Sequence, residues 1–185
     1  MSGEIRIIGG QWKRTRLAVP DKPGLRPTPD RVRETLFNWL GHSLQGWTCV
    51  DAFAGTGALG LEAASRGAPQ VQLVEQDAGL VKALQALIQR LNAAEQVNVK
   101  RGDGLAYLRG LPAASVDLVM LDPPFDANLF DTALAAARPC LHASGWLYLE
   151  APQAWQEDTL AALGYRLHRH LKAGAVHAHL LQPLA

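Results

Sequence analysis

The apolar run Val116–Leu121 ends in Asp122-Pro123-Pro124-Phe125. Two consecutive prolines stiffen the backbone and remove two N–H donors, which leaves carbonyls as acceptors beside a carboxylate. A carboxylate and a neighbouring carbonyl can accept both hydrogens of a planar amino group and turn its nitrogen lone pair toward an electrophile. Phe125 adds a face on which a base can stack, worth ~1–3 kcal/mol. This suits methylation of an exocyclic amine, a poor nucleophile because its lone pair is delocalised into the ring. Hydrogen bonds that favour its pyramidal form strengthen in the transition state, and alignment against the methyl donor supplies most of the rest. The plainer reading of the same four residues is a proline turn that ends a strand.

A second group lies upstream. Val50-Asp51-Ala52-Phe53 leads into Ala54-Gly55-Thr56-Gly57-Ala58-Leu59-Gly60, so Gly55, Gly57 and Gly60 fit G-x-G-x-x-G. Between a strand and a helix this spacing lets a ligand approach the backbone at a helix N-terminus. The glycines alone leave a nicotinamide dinucleotide and S-adenosylmethionine (AdoMet) open. Asp51, four residues before Gly55, favours the second: it would repel a pyrophosphate and suit a ligand carrying an ammonium and a sulfonium. Glu75 follows 24 residues after Asp51 at the end of the next strand, where an acid can accept ribose hydroxyls. Asp103, in Gly102-Asp103-Gly104, follows the third strand and could accept an adenine amino hydrogen; the plainer alternatives are a helix cap for Asp103 and a surface acid for Glu75. No Gly-Lys-Ser/Thr follows the glycines, which excludes a P-loop.

The remaining reactive side chains carry less. Pro139-Cys140 resembles the nucleophile of cytosine-C5 methylation but closes a helix, and Cys49 lies inside a strand, so neither is expected to be catalytic. His168/His170 and His177/His179 alternate on two strand candidates, each pair on one sheet face, and read as polar surface rather than a metal site.

The elements that must position these groups alternate. Glu4–Ile8 and Arg16–Val19 read as strand pieces broken by Gly9-Gly10 and Pro20. Thr28 before Pro29 predicts a helix start, with Val32, Leu36 and Leu40 as an apolar stripe and Arg31, Glu34 and Asn38 on a separate polar face. Strands are expected at 49–53, 71–74, 97–100, 116–121 and 146–150, with helices at 57–66, 80–91, 105–109, 128–141 and 153–163 between them. Tyr165–Leu171 and Val176–Gln182 sit at hairpin distance, which would turn the last strand antiparallel. Repeated strand–helix units predict an α/β fold, a parallel sheet with helices on both faces.

The chain has 185 residues, which is one domain with room for a small appendage. The longest stretch without Asp, Glu, Lys or Arg, Thr35–Val50, is 16 residues, short of the ~20 apolar residues of a membrane span. Two cysteines give neither a disulfide framework nor zinc spacing, and Met-Ser-Gly-Glu does not open a secretory signal, so a reduced cytoplasmic setting is the expectation. The net charge of +1 hides a split: residues 1–40 hold eight Lys/Arg against four Asp/Glu, and residues 41–185 hold ten against thirteen. A basic arm on a mildly acidic body points to a polyanion partner.

These residues resemble the bacterial small-subunit ribosomal RNA methyltransferases that modify N2 of one guanine in 16S rRNA. The likeness covers nearly the whole chain. It is carried by Arg6–Trp12 (RIIGGQW), by Gly24–Leu40 (GLRPTPDRVRETLFNWL), by Phe53–Ala63 (FAGTGALGLEA) and by Asp122–Phe125. The glycine turn is shared with many AdoMet enzymes and Asp-Pro-Pro-Phe with amino-methylating ones, so the Arg-Pro-Thr to Phe-Asn block carries the substrate assignment. The resemblance implies a seven-stranded AdoMet methyltransferase domain (29–185) behind an RNA-binding extension (1–28). It implies that Asp51, Phe53, Gly55, Gly57, Glu75, Asp103 and Gly104 bind AdoMet, and that Asp122, Pro123, Pro124 and Phe125 hold the guanine amine. It also implies that Arg6, Lys13, Arg14, Arg16, Arg26 and Arg31 contact RNA, and that the helix bearing Arg31, Glu34 and Asn38 covers the pocket. The substrate would be an assembled or partly assembled 30S subunit, with no metal and no membrane, and a monomer as the default. One departure stands out: the family has a Gly-Arg step shortly after the Trp, where this chain has Arg14-Thr15. Rival functions are a DNA adenine-N6 or protein glutamine-N5 methyltransferase, an NAD(P)-dependent oxidoreductase, and a non-catalytic RNA-binding assembly factor.

Overall fold

The computed structural model describes residues 3–185. Two short strands open it, β1 (Gly3–Arg6) and β2 (Arg16–Val19), paired antiparallel with Ile5 opposite Leu17. A proline-rich loop leads to helix α1 (Asp30–Leu40). Strands and helices then alternate through β3 (Thr48–Asp51), α2 (Ala58–Ser65), β4 (Gln70–Glu75), α3 (Ala78–Arg90), β5 (Val97–Arg101) and α4 (Gly104–Arg109). They continue through β6 (Val116–Leu121), α5 (Phe130–Ala137), β7 (Leu141–Ala151), α6 (Glu157–Ala162), β8 (Tyr165–Ala173) and β9 (Val176–Pro183).

Strands β3 to β9 form one seven-stranded sheet in the order β5-β4-β3-β6-β7-β9-β8. The first five are mutually parallel, and β9 runs antiparallel to both β7 and β8, as the terminal hairpin predicted. Strands buried on both faces must be apolar throughout, and Leu118, Val119, Met120 and Leu121 of β6 are fully buried. One face of the sheet is covered by α1, α2 and α3, together with Ile7 and Leu17 from the opening arm. The other is covered by α4, α5 and α6 through Leu105, Leu108, Ala133, Leu134 and Leu160. The chain leaves β3 toward β4 and β5 on one side and returns to β6 on the other. That switch opens a crevice at the carboxyl ends of β3 and β6.

Several boundaries move. The helix expected over 128–141 stops at Ala137, because Pro139 draws the chain into a 3₁₀ turn over Arg138–Cys140. Strand β7 therefore starts at Leu141, five residues before the expected Trp146. It bends at Gly145, where an added Cβ would lie 3.0 Å from the His142 oxygen and 3.1 Å from that of Asp117. Pro29 is the extended cap residue of α1 (φ −56°, ψ 148°) rather than its first helical residue, and no side chain caps the helix. Thr28 is buried, and its hydroxyl bonds Glu150 instead.

The opening arm is held by buried charge. Glu62, fully buried on α2, accepts the N–H groups of Ile8 and Gly9, each at 2.9 Å. The same carboxylate meets Arg66 Nε at 2.9 Å and Arg33 Nη1 at 3.3 Å. Arg33 is itself fully buried; it donates to the carbonyls of Arg6 (2.8 Å) and Thr28 (3.1 Å) and pairs with Asp30. Gly10, at φ +76°, passes so close to α2 that a Cβ would lie 1.8 Å from the Ser65 carbonyl oxygen. At the place of the family's glycine, Arg14 adopts φ +74°. This is the left-handed region, which a side chain disfavours by ~1–2 kcal/mol.

Candidate functional site

A cleft of about 780 Å³ occupies the crevice at the ends of β3 and β6. Its walls are Lys22–Pro29, Asp51–Thr56, Val74–Asp77, Asp122–Phe125, Glu150 and the hairpin tip at Ala175 and Val176. The volume falls in the range of small-molecule sites, ~300–1,000 Å³.

Asp51 ends β3 almost wholly buried, at 1% exposure. Its Oδ2 accepts the Gly60 N–H at 3.0 Å, while Oδ1 has no hydrogen-bond partner among the described residues. Burial pushes its carboxyl up to about 7. An unpartnered carboxylate oxygen on the wall of a cleft is a place for a cation, and the ammonium end of AdoMet fits that requirement. Glu75, at the end of β4, fixes the glycine turn: Oε2 accepts the Gly55 N–H at 2.8 Å and Oε1 the Asp77 N–H at 2.9 Å. Each oxygen keeps a second lone pair for a ligand hydroxyl. The residues present therefore fit AdoMet.

The three glycines divide their work. Gly55 (φ +53°) lines the cleft, with only Leu25 close to where a Cβ would stand, at 3.3 Å. At Gly57 (φ +81°) a Cβ would press on Leu84 of α3 at 2.7 Å, and at Gly60 on Leu73 of β4 at 2.1 Å, so Gly57 serves the packing of the turn against α3 and Gly60 that of α2 against the sheet. Phe53 and Gly104 reach the cleft as expected; at Gly104 a Cβ would lie 2.0 Å from the Ala52 carbonyl oxygen. Asp103 does not line it. Its side chain is exposed, and Oδ1 accepts the Leu105 N–H at 2.8 Å to cap α4, the plainer of its two readings.

Asp122 sits across the cleft, half-buried. The Pro124 carbonyl is taken by the Ala127 N–H at 3.2 Å, whereas the Pro123 carbonyl accepts no hydrogen bond among the described residues. Behind Asp122 lies Glu150, near the end of β7 and 3% exposed, hydrogen-bonded to it. Tyr148 donates its hydroxyl to Glu150 Oε1 at 2.8 Å, and Thr28 bonds the same carboxyl. Burial raises both carboxyls; the charge of Glu150 raises Asp122 further, whereas the hydrogen bonds of Glu150 with Thr28, Tyr148 and Asp122 draw Glu150 back, and the pair holds a shared proton and titrates as a unit. Arg26 works the other way on Asp122, and its guanidinium lies 5.7 Å over the Phe125 ring. Phe125 continues into Phe130 and Trp155, with ring centroids 6.3 Å apart at each step.

Sequence reasoning missed Glu150, because its partner lies 28 residues away. It also gave α1 the wrong place. Arg31, Glu34 and Asn38 are exposed and outside the cleft, and the loop Lys22–Pro29 covers it instead. Among the residues expected to meet RNA, Arg26 borders the cleft, while Arg6, Lys13, Arg14 and Arg16 lie exposed on the opening arm. The histidines are not all surface. His179 is fully buried, accepts the Trp155 N–H on Nε2 at 3.1 Å and meets the Leu149 carbonyl through Nδ1 at 3.2 Å, and burial pushes it down to about 4. Cys49 and Cys140 are buried, and burial raises both thiols, Cys140 to about 11. Neither is a poised nucleophile.

Residues 5–182 match the family described as Conserved hypothetical protein 95. The chain is 41% identical to ribosomal RNA small subunit methyltransferase D of Escherichia coli, covering 98% of this chain and 91% of that one. It is 37% identical to the Haemophilus influenzae protein of the same name, covering 91% and 95%. The solved structure of yhhF from Escherichia coli superposes with a TM-score of 0.83 at 35% identity, covering 99% of both chains. The chain belongs to the Conserved hypothetical protein 95 family, alongside the small-subunit ribosomal RNA methyltransferases D.

Proposed function

We propose that this protein transfers the methyl group of AdoMet to the exocyclic N2 of one guanine in 16S rRNA, in the assembled or partly assembled small subunit in the cytoplasm. The observation that carries the reading is the placement of Asp122-Pro123-Pro124-Phe125 opposite the unpartnered Asp51 oxygen, within one cleft. The family and its curated relatives support the ribosomal substrate.

On this reading Asp51, Gly55 and Glu75 hold AdoMet, with Phe53 and Gly104 beside them. The bound cofactor supplies an electrophilic methyl on a sulfonium. Asp122 and the Pro123 carbonyl accept the two N2 hydrogens and aim the lone pair, and Phe125 stacks on the base. Such directional bonds strengthen as the nitrogen becomes pyramidal, which places their energy in the transition state. Glu150 positions Asp122 from behind. The Asp122–Glu150 pair, or water, accepts the proton released after transfer. A paired guanine would present no free amine, so the target must be unpaired or extruded. Labelled AdoMet offered with purified 30S subunits, DNA and protein tests the reading. Label in 16S rRNA that digests to N2-methylguanosine is the expected result, and label in DNA adenine or protein glutamine would replace it with a rival.

A further inference from the structure

The charge split divides further than the opening arm. After Asp158 the chain holds no Asp or Glu, yet it carries Arg166, Arg169 and Lys172. All three are exposed on β8, the outermost strand at one end of the sheet. None pairs with a carboxylate among the described residues; the buried and half-buried ion pairs gather elsewhere, on Glu62, Asp30 and Asp77. Arg166 donates to the Gln182 side chain and Arg169 to the carbonyl of His168, so both guanidinium charges remain uncompensated.

Their position relates to the cleft. The tip of the β8–β9 hairpin, Ala175 and Val176, forms one of its walls, and Lys172 lies three residues before that tip. A register shift between Leu167 and Arg169 leaves both His168 and Arg169 exposed. Arg169 pairs with Leu180 and Arg166 with Gln182, on the sheet face that Leu180 shares with α1 and the arm residues Ile7 and Leu17. His168 packs edge-on against Trp146 of that same layer, with ring centroids 4.8 Å apart. Arg166 and Arg169 thus extend, at the far end of the sheet, the face on which the basic arm lies, whereas Lys172, paired with His177, projects from the opposite face of the same exposed edge, next to the cleft wall.

We propose that β8 is a second RNA-contact surface, on which Arg166, Arg169 and Lys172 bind phosphates of the strand flanking the target guanine. The proposal rests on the RNA methyltransferase reading. The alternative occupant of a sheet edge is the edge of a second copy. Lysine, arginine and a bulge on an edge strand oppose such pairing, and two copies would set cation against cation.

Binding of 30S subunits to the wild type, K172Q and R166Q/R169Q/K172Q over ~50–300 mM KCl tests it. Each phosphate contact on a single strand contributes ~0.7 to the slope of log affinity against log salt. Three lost contacts should make the slope shallower by about 2 and weaken binding at least tenfold at the low-salt end. K172Q should show about a third of the slope change. AdoMet affinity and the sedimentation coefficient should match the wild type in both variants. Wild-type slope and affinity in the triple variant would overturn the proposal, as would self-association of that variant at unchanged RNA affinity. A wild type that neither binds nor methylates the particle would overturn the parent reading as well, which separates the two failures.

Discussion

Replacing Asp51 with Asn should separate the cofactor role of this residue from its effect on the fold. In the protein without cofactor, burial pushes the Asp51 carboxyl up from 3.8 to about 7, a rise of roughly 3 units. A folded-state value above the unfolded one means that the native state binds the extra proton, so stability falls as pH rises between the two values. At 1.36 kcal/mol per unit the wild type should lose about 4 kcal/mol between roughly pH 4 and 7 through this group. D51N lacks that term. Its amide leaves an NH₂ facing the position where Oδ1 has no partner, a burial penalty of about 1–3 kcal/mol. The variant should therefore be as stable as the wild type or less so at pH 5, and more stable by about 1–3 kcal/mol at pH 8. Denaturant unfolding of both proteins without cofactor, at intervals from pH 4.5 to 8, reads the difference directly. Calorimetry supplies the second half: a cationic ligand should draw Asp51 into its ionised form and release about half a proton at pH 7, and D51N should bind AdoMet at least tenfold more weakly with no such release. Parallel stability curves, or undiminished AdoMet binding by D51N, would refute the reasoning.

Asp122→Ala should keep AdoMet affinity within a few-fold and lower methyl transfer by at least a hundredfold, since it removes a contact that strengthens in the transition state; equilibrium binding and single-turnover rates check the two halves. Glu150→Gln should move the acid limb of the pH–rate profile to lower pH, because the buried like charge and the shared proton behind Asp122 are gone. Glu62→Ala leaves the buried Arg33 and the N–H groups of Ile8 and Gly9 without their carboxylate. It should destabilise by about 3–5 kcal/mol in denaturant titration and expose the opening arm to protease. Arg14→Gly should stabilise by about 1 kcal/mol, since φ is +74° there, while weakening RNA binding through the lost cation.

What was legible in the sequence was what short-range pattern encodes. A strand buried on both faces must be an apolar run, so Val116–Leu121 announced β6 with its bounds intact. Groups at the carboxyl ends of parallel strands must converge, so Asp51, Glu75 and Asp122 could be assigned to one crevice before their neighbours were known. The hidden parts depend on partners distant in the chain. Glu150 reads as the end of a strand until β7 lies beside β6. Arg33 and Glu62, 29 residues apart, look like surface charges on two helices; only the docked arm, with its backbone donors, makes their burial tolerable. Asp103 could cap a helix or face a ligand from one position, and spacing does not separate those roles. His179 reads as alternating polar surface, yet the Trp155 N–H and the Leu149 carbonyl satisfy both ring nitrogens in the core.

The most direct test is the N2-methylguanosine content of 16S rRNA, mapped nucleotide by nucleotide by primer extension and mass spectrometry in cells with and without this protein. One guanine should carry the N2-methyl group in its presence and lose it completely in its absence. The wild-type chain should restore the mark, and Asp122→Ala should not. An unchanged 16S rRNA methylation pattern without the protein, or full restoration by Asp122→Ala, would contradict the account.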